Sequence, residues 1–183
     1  IVTQNRDDVP KSEYILASRR SFNIPILANN ELWNFVLSSN FHGTLKEFIT
    51  QRLGLEINET IKDKLKDFDL YEKIQLDANG LMTINQVINT IRTDILKNAD
   101  KEKEYLLNYL SPFIGKRLGL VDLGHTGTIP YCYRELTKND LIAYNILSTR
   151  QSSDIYQIPY NLKVRGYLLD SLPFVIGKYS LHS

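Results

Sequence analysis

The residues with the clearest potential for chemistry lie between Leu120 and Pro130, in the segment LVDLGHTGTIP. A short apolar run ends there on an acid, Asp122, and a loop rich in glycine and threonine leads to a proline. Glycines let a ligand approach the backbone closely, and the free amides at the start of a helix attract anions. A strand that ends in such a loop and then enters a helix therefore predicts a binding site for a phosphate group.

The polar residues of this loop have separate expected roles. Asp122, at the carboxyl end of the strand, is expected to accept hydrogen bonds from sugar hydroxyl groups or to help hold a magnesium ion. His125 is a candidate for phosphate binding or for acid–base catalysis near neutral pH. The remaining candidates are expected to hold a phosphate through backbone amides and hydroxyl groups: Gly124, Thr126, Gly127 and Thr128. A purely structural alternative is a tight turn whose polar residues only cap the helix.

Two arginines earlier in the chain are a second candidate for contact with a phosphate. Arg19 and Arg20 follow the apolar segment 13–18, which predicts a short buried strand. A guanidinium group can donate two parallel hydrogen bonds to a phosphate. The alternative interpretation is an exposed basic pair without a ligand.

Several other kinds of site are excluded or disfavoured by the sequence. The loop after Asp122 lacks the Gly-Lys-Ser/Thr ending of a Walker motif and the glycine spacing of a dinucleotide-binding motif. The Asp-x-Asp pattern of Asp67 and Asp69 follows a charged segment, whereas a dehalogenase-type phosphatase needs an apolar strand there. Cys132, the single cysteine, excludes an internal disulfide bond and is predicted to be a buried structural thiol.

Length and charge limit the classes of protein further. The 183 residues suggest one domain, and the net charge of +1, with no basic run, argues against nucleic-acid binding. No apolar run is long enough to span a membrane, and the single thiol fits a reducing compartment, so we expect a cytoplasmic protein or one at the inner face of the membrane. Because the chain starts at Ile1 and its one methionine is internal, we expect a fragment of a larger chain.

The first part of the chain predicts mainly helices. Pro25 predicts a loop over 22–27, and residues from about 28 to 115 predict a helical insertion or cap. Capping boxes at Thr44–Glu47 and Thr83–Gln86 predict two helix starts. Asn58 and Asp100 are expected to begin two further helices.

The second part, from about 116 to 170, predicts alternating strands and a helix. Strands are expected at 118–122, 140–147 and 164–169, with a helix over about 129–138 and a long loop over 148–160. An alternation of strand, helix and strand is typical of an α/β fold with a parallel sheet.

The segment around Asp122 resembles the diphosphoribosyl-binding loop of phosphoribosyltransferases. In that family an acidic pair ends a strand and binds the ribose hydroxyl groups, and a Thr-Gly loop holds the 5-phosphate. Asp122, Thr126, Gly127 and Thr128 match this pattern, whereas Val121 stands where a second acid is usual. The resemblance covers about ten residues and implies a Rossmann-like or phosphoribosyltransferase-like sheet.

A longer stretch, over about residues 13–170, is similar to a group of bacterial polysaccharide-biosynthesis proteins. The similarity rests on the order and spacing of YILASRRS from Tyr14, the pair Ile24-Pro25, and VDLG with a following GT from Val121. Proteins of this group are often fused to haloacid-dehalogenase-like phosphatase or glycosyltransferase modules. The resemblance implies transfer of a phosphoribosyl group from phosphoribosyl diphosphate, a phosphorylated sugar donor, to a glycan acceptor. It also implies a Ser-Arg-Asp-Gly segment for the diphosphate, which this sequence does not contain.

Three alternatives remain open at this point. The same anion loop would suit a hydrolase or a transferase that uses a nucleotide sugar. The chain would also suit a non-catalytic partner domain of a polysaccharide-biosynthesis enzyme. Finally, a fragment that lacks its diphosphate-binding segment would be inactive.

Overall fold

The computed structural model describes residues 11–37, 41–75, 78–123, 127–149 and 163–172. It combines a mainly helical N-terminal part with a small parallel sheet, which agrees with the predicted α/β class. The helices are α1 (Arg19–Ile26), α2 (Trp33–Leu37), α3 (Leu45–Gln51), α4 (Glu59–Lys64), α5 (Ala78–Leu110) and α6 (Thr128–Thr137), with 3₁₀ turns at Asn30–Leu32 and Ser111–Phe113. The strands are β1 (His42–Thr44), β2 (Lys73–Gln75), β3 (Leu118–Asp122), β4 (Leu141–Thr149) and β5 (Lys163–Leu172).

The strands form two separate sheets. β1 and β2 pair antiparallel, whereas β3, β4 and β5 form a parallel sheet in that order. The chain passes from β3 through α6 to β4, so these three elements are a β-α-β unit. The predictions of β3, α6, β4 and β5 are confirmed; β4 begins one residue and ends two residues later than expected, and β5 extends beyond its predicted range at both ends. Most of the predicted loop over 148–160 lies outside the described residues.

The start of the chain differs from the prediction. Residues 11–18 form no strand, and Tyr14 is 88% exposed, so the predicted buried strand over 13–18 is wrong. The predicted loop over 22–27 is also wrong, because α1 includes Pro25 in its last turn. Ser18 caps this helix in a box with Ser21: the Ser21 amide donates to Ser18 Oγ at 3.1 Å, and the Ser18 amide donates to Ser21 Oγ at 2.9 Å. The sequence did not indicate this helix start because Ser21 stands at the position where a capping box usually has a glutamate.

The middle of the chain is helical, but its helical segments do not begin where they were expected. α5 runs from Ala78 to Leu110 as two helical segments that join at a kink at Ile91, where φ is −112° and ψ is 18°. Thr83 and Asp100 both lie inside α5, and the helix starts predicted at these two residues are wrong. The apolar residues of α5 that repeat at helical spacing belong to the buried core: Ile84, Val87, Ile88, Ile91 and Ile95.

Two other predicted helix starts are confirmed with their hydrogen bonds. The Glu47 amide donates to Thr44 Oγ1 at 3.2 Å, and the Thr44 amide donates to Glu47 Oε2 at 2.7 Å, which is a complete capping box. Asn58 Oδ1 accepts from the Ile61 amide at 3.0 Å at the start of α4. Side-chain caps that close within three residues are local, which is why the sequence predicts them well.

The helical core and the sheet meet at α6. α1 packs against both α5 and α6, and α6 also contacts β3 and β4. The rings of Phe22 and Tyr133 lie 6.2 Å apart, and those of Phe35 and Tyr131 lie 4.6 Å apart. Cys132 between the two tyrosines is fully buried, as predicted. In the described part of the chain, no helix has the length and hydropathy needed to cross a membrane.

Candidate functional site

The start of α6 and the end of β3 have the geometry that the sequence predicted for an anion site. β3 ends at Asp122, whose side chain is half-buried, and α6 begins at Thr128. Gly127 precedes the helix with φ 70° and ψ 16°, a left-handed conformation that costs a glycine little. Gly127, at the N-cap position, has no side chain that could cap this helix start. Because the first amides of a helix lack partners within the helix, the start of α6 favours a negatively charged ligand.

Asn145 on the neighbouring strand is the most unusual polar residue in the described structure. It is fully buried, and neither its Nδ2 nor its Oδ1 has a hydrogen-bond partner. Leaving a buried polar group unpaired costs about 1–3 kcal/mol. Such groups are rare in folded proteins and indicate either a bound water molecule or a role in binding a ligand.

A second buried asparagine in the same half of the chain shows the usual situation. Asn139, 5% exposed, accepts a hydrogen bond from the Gly115 amide at 2.8 Å. Its Nδ2 donates to the Phe113 carbonyl oxygen at 2.7 Å and lies 3.4 Å from the Tyr133 hydroxyl. Asn139 thus ties the turn before β3 to the turn before β4. Asn145, which has no such role, needs another explanation.

The register of the parallel sheet places Asn145 beside Asp122. Asp122 pairs with Asn145 on β4, and Asn145 pairs with Gly166 on β5, so the three residues form a row across the sheet. Side chains alternate between the two faces of a strand. Asn145 therefore shares the inner face with the buried Ala143, and Asp122 lies next to it. Gly166 has no side chain with which to pair the amide.

The opposite face of the sheet is open. Val121 is 77% exposed, and Tyr144, its partner on β4, is 36% exposed. The Val121 position, where the resembling family usually has its second acid, therefore faces away from Asn145. The polar residue that lies beside Asp122 in the register of the inner face, Asn145, belongs to the adjacent strand instead.

The first turns of α6 are held in place because their side chains are buried in the core. Burial in the core raises the pKa of the Cys132 thiol, and it raises the pKa of Tyr131 to about 12. Both groups therefore stay neutral at physiological pH, and their role is to pack α6 against the helical core. Thr128, 9% exposed, lies at the start of this fixed helix.

Arg19 and Arg20 lie in the first turn of α1 and not at the end of a strand. Both side chains are exposed, and no described contact joins either one to Asp122 or Thr128. In the α1–α6 pair, Phe22 lies beside Tyr133, and the end of α1 lines a cleft with the end of α6. The described contacts thus join α1 to the middle and the end of α6.

The structure tests only part of the predicted site. Gly124, His125 and Thr126 lie outside the described residues. Asp122, Gly127 and Thr128 are where the sequence placed them, at the end of a strand and the start of a helix. Sequence analysis missed Asn145, although a polar amide inside the apolar run from Leu141 to Leu147 was a usable signal.

A cleft of about 460 Å³ lies at the other end of α6. Its lining residues include Pro25, Ala28, Lys103, Glu135 and Lys138. The Lys138 ammonium group pairs with the Glu135 carboxylate at 2.8 Å. Helix carbonyl groups make this end of α1 and α6 negative. We therefore place the candidate anion site at the start of α6 and not in this cleft.

Comparisons of the chain with protein-family models, with curated proteins and with solved structures find no match.

The chemistry of Asp122 fits a magnesium ion that is bound mainly by its ligand. No group of three or more acidic, histidine or cysteine side chains lies together among the described residues. Mg²⁺ keeps several waters and is often held by one or two carboxylates together with phosphate oxygens of the substrate. One carboxylate at the tip of β3 satisfies that requirement.

Proposed function

We propose that the chain binds phosphoribosyl diphosphate at the end of β3 and the start of α6 and transfers its phosphoribosyl group. The observation that carries the proposal is the β-α-β unit in which Asp122 ends one strand and a helix with a glycine at its N-cap begins at Thr128. Ligands of open α/β sheets lie outside the carboxyl ends of the strands. Together with the loop sequence, this supports a phosphoribosyltransferase-like site.

Each group of the site has a role in the proposed reaction. The amides at Gly127 and Thr128, with Gly124 and Thr126, hold the 5-phosphate, and Asp122 accepts hydrogen bonds from the ribose. Magnesium, when bound, neutralises charge on the diphosphate. Arg19 and Arg20 are proposed to bind that diphosphate as it leaves. Catalysis then rests mainly on stabilising the leaving group and the positive charge that develops on the sugar.

The acceptor is proposed to be a hydroxyl group of a glycan, as the similarity to polysaccharide-biosynthesis proteins implies. Its oxygen forms a bond to C1 of the ribose while the bond from C1 to the diphosphate oxygen breaks. The diphosphate leaves with the bonding electron pair, and His125 accepts the proton of the acceptor hydroxyl. Such a reaction belongs on the cytoplasmic side of a membrane, where its donor is made.

A thermal-shift experiment tests the proposal directly. Phosphoribosyl diphosphate with Mg²⁺ should raise the unfolding midpoint by about 5–10 °C at a hundredfold excess over Kd, since a ligand of the folded state stabilises it. A nucleotide sugar should give no shift. Asp122→Asn should lose the response, whereas Asp140→Asn, at the opposite end of the sheet, should keep it, because Asp140 is exposed and pairs only with Arg117 among the described residues. A shift with the nucleotide sugar alone would favour the alternative transferase.

A second candidate function is supported by the outer face of the sheet. Parallel sheets are normally covered on both faces, yet Val121 in β3 is 77% exposed, and Leu123, directly after the strand, is 82% exposed. This supports the alternative of a non-catalytic partner domain that packs against another module. A flat thermal response to every ligand, with no release of diphosphate in the presence of acceptor, would favour this second function over the transferase.

A further inference from the structure

We propose that Asn145 binds a hydroxyl group of the sugar, next to Asp122, and so fixes the orientation of the ligand in the site. This inference rests on the proposed function for the identity of the ligand. Its own observation is separate: a fully buried amide at the level of the Asp122 strand tip, with both polar atoms unpaired.

The two unpaired atoms of Asn145 define the chemistry of the missing partner. Nδ2 needs an acceptor, and Oδ1 needs a donor. A phosphate group in its ionised form supplies acceptors only, so it would leave Oδ1 unpaired. A hydroxyl group both donates and accepts, and it satisfies the two atoms of one asparagine side chain or bridges them to a neighbour.

Asp122 strengthens the preference for a sugar hydroxyl over a phosphate at this position. A carboxylate accepts hydrogen bonds and repels an anion. Two neighbouring hydroxyl groups of a ribose match the pair, because one can donate to Asp122 and the other can pair with Asn145. The phosphate of the same ligand is then directed to the start of α6 at Thr128, where the helix dipole gives a partial positive charge.

The surroundings of Asn145 support this role over a structural one. In the register of the sheet, Asn145 lies opposite Asp122 on β3, whose carboxylate only accepts hydrogen bonds and so cannot serve Asn145 Oδ1. On β5 it lies opposite Gly166, which has no side chain. The register of β4 and β5 shifts directly after Asn145, between it and Leu147. Irregularities of this kind often lie next to binding sites, where they reorient side chains.

The test compares two ligands and two variants by isothermal titration calorimetry with Mg²⁺ present. Ribose 5-phosphate carries the phosphate and the hydroxyl groups, and inorganic phosphate carries the phosphate alone. Asn145→Leu should weaken binding of ribose 5-phosphate about tenfold or more and leave binding of inorganic phosphate unchanged. The unfolding midpoint of Asn145→Leu should not fall below that of the unsubstituted protein, because leucine is similar in size and removes two buried polar atoms that have no hydrogen-bond partner. Asn139→Leu is the matched control, and it should lower the midpoint because it breaks satisfied hydrogen bonds.

The outcomes that would overturn the inference are distinct from failure of the proposed function. Equal weakening for both ligands, no weakening for ribose 5-phosphate, or a lowered midpoint in Asn145→Leu would assign Asn145 a structural role, such as holding a buried water. If the unsubstituted protein binds ribose 5-phosphate through Asn145 but not phosphoribosyl diphosphate, the transferase proposal fails and the hydroxyl site stands. If it binds phosphoribosyl diphosphate and Asn145→Leu binds ribose 5-phosphate equally well, only the inference about Asn145 fails.

Discussion

Asp122 and Asn145 are direct neighbours across the parallel ladder of β3 and β4, and both lie on the more buried face of the sheet. One residue carries a half-buried carboxylate, and the other carries a buried amide whose two polar atoms are unpaired. Residues near the carboxyl ends of parallel strands converge at one edge of a sheet, which is where α/β proteins bind ligands. The pair therefore locates the candidate site more firmly than the loop sequence alone.

The glycine before α6 is expected to serve both the fold and the ligand. Gly127→Ala forces a side chain into a left-handed conformation and should lower the free energy of unfolding by about 1 kcal/mol. The added methyl group should also reduce the thermal shift with phosphoribosyl diphosphate, because it lies where backbone amides meet the phosphate. The measurement is a denaturant titration followed by the thermal-shift assay.

Gly115 provides a matched control for that variant. Its φ is 79°, and a Cβ built there meets no atom within 4 Å, so Gly115→Ala should have a similar cost in stability. It lies in the turn before β3, away from the strand tip, and should leave the ligand response intact. Equal ligand responses in the two variants would mean that Gly127 only shapes the turn.

The capping box of α3 predicts a specific dependence of stability on pH. Hydrogen bonds from the Thr44 amide and then the Thr44 hydroxyl lower the pKa of Glu47 below its usual 4.5. A lowered pKa in the folded state stabilises the protein above pH 4.5, and this contribution is lost as the pH falls through the lowered pKa. Stability should thus fall less steeply below about pH 4.5 in Glu47→Gln than in the unsubstituted protein.

A companion variant tests the cause of the Glu47 effect. Thr44→Ala removes the hydroxyl cap and should lower stability at neutral pH by about 1 kcal/mol. Urea titrations at several pH values measure both effects. Identical pH profiles for the unsubstituted protein and Glu47→Gln would show that the box does not control the titration of this acid.

Cys132 is expected to be unreactive in the folded protein. Burial raises the pKa of its thiol, and the thiolate is the reactive form. A thiol reagent such as dithionitrobenzoate should label no thiol in native buffer and one thiol per chain in denaturant. Because the chain has a single cysteine, Cys132→Ala should show no labelling in either condition. Rapid labelling of the native protein would mean that α6 opens readily.

The sequence predicted best those features that are determined by neighbouring residues. β3, α6 and the caps at Thr44 and Asn58 depend on apolar alternation, small residues or side chains that bond within three residues. The failures share another cause. The apolar run over 13–18 was expected to be buried by other elements, and Asp100 was expected to begin a new helix, whereas α5 continues through it.

The candidate site was predictable only in part for the same reason. Asp122, Gly127 and Thr128 lie close together along the chain, so their spacing alone indicated a strand tip and a helix start. Asn145 joins Asp122 only through the register of two parallel strands, and parallel register is set by the packing of the whole β-α-β unit. A polar residue inside an apolar strand is the signal that sequence analysis should weigh more heavily.

The most direct test of the account is a nuclear magnetic resonance titration of the ¹⁵N-labelled protein with phosphoribosyl diphosphate and Mg²⁺. The backbone amides of Gly127 and Thr128 and the side-chain amide of Asn145 should shift together and saturate with one dissociation constant. Shifts confined to other parts of the chain, with these three signals unmoved at saturating ligand, would contradict a sugar-phosphate site at the end of β3 and the start of α6.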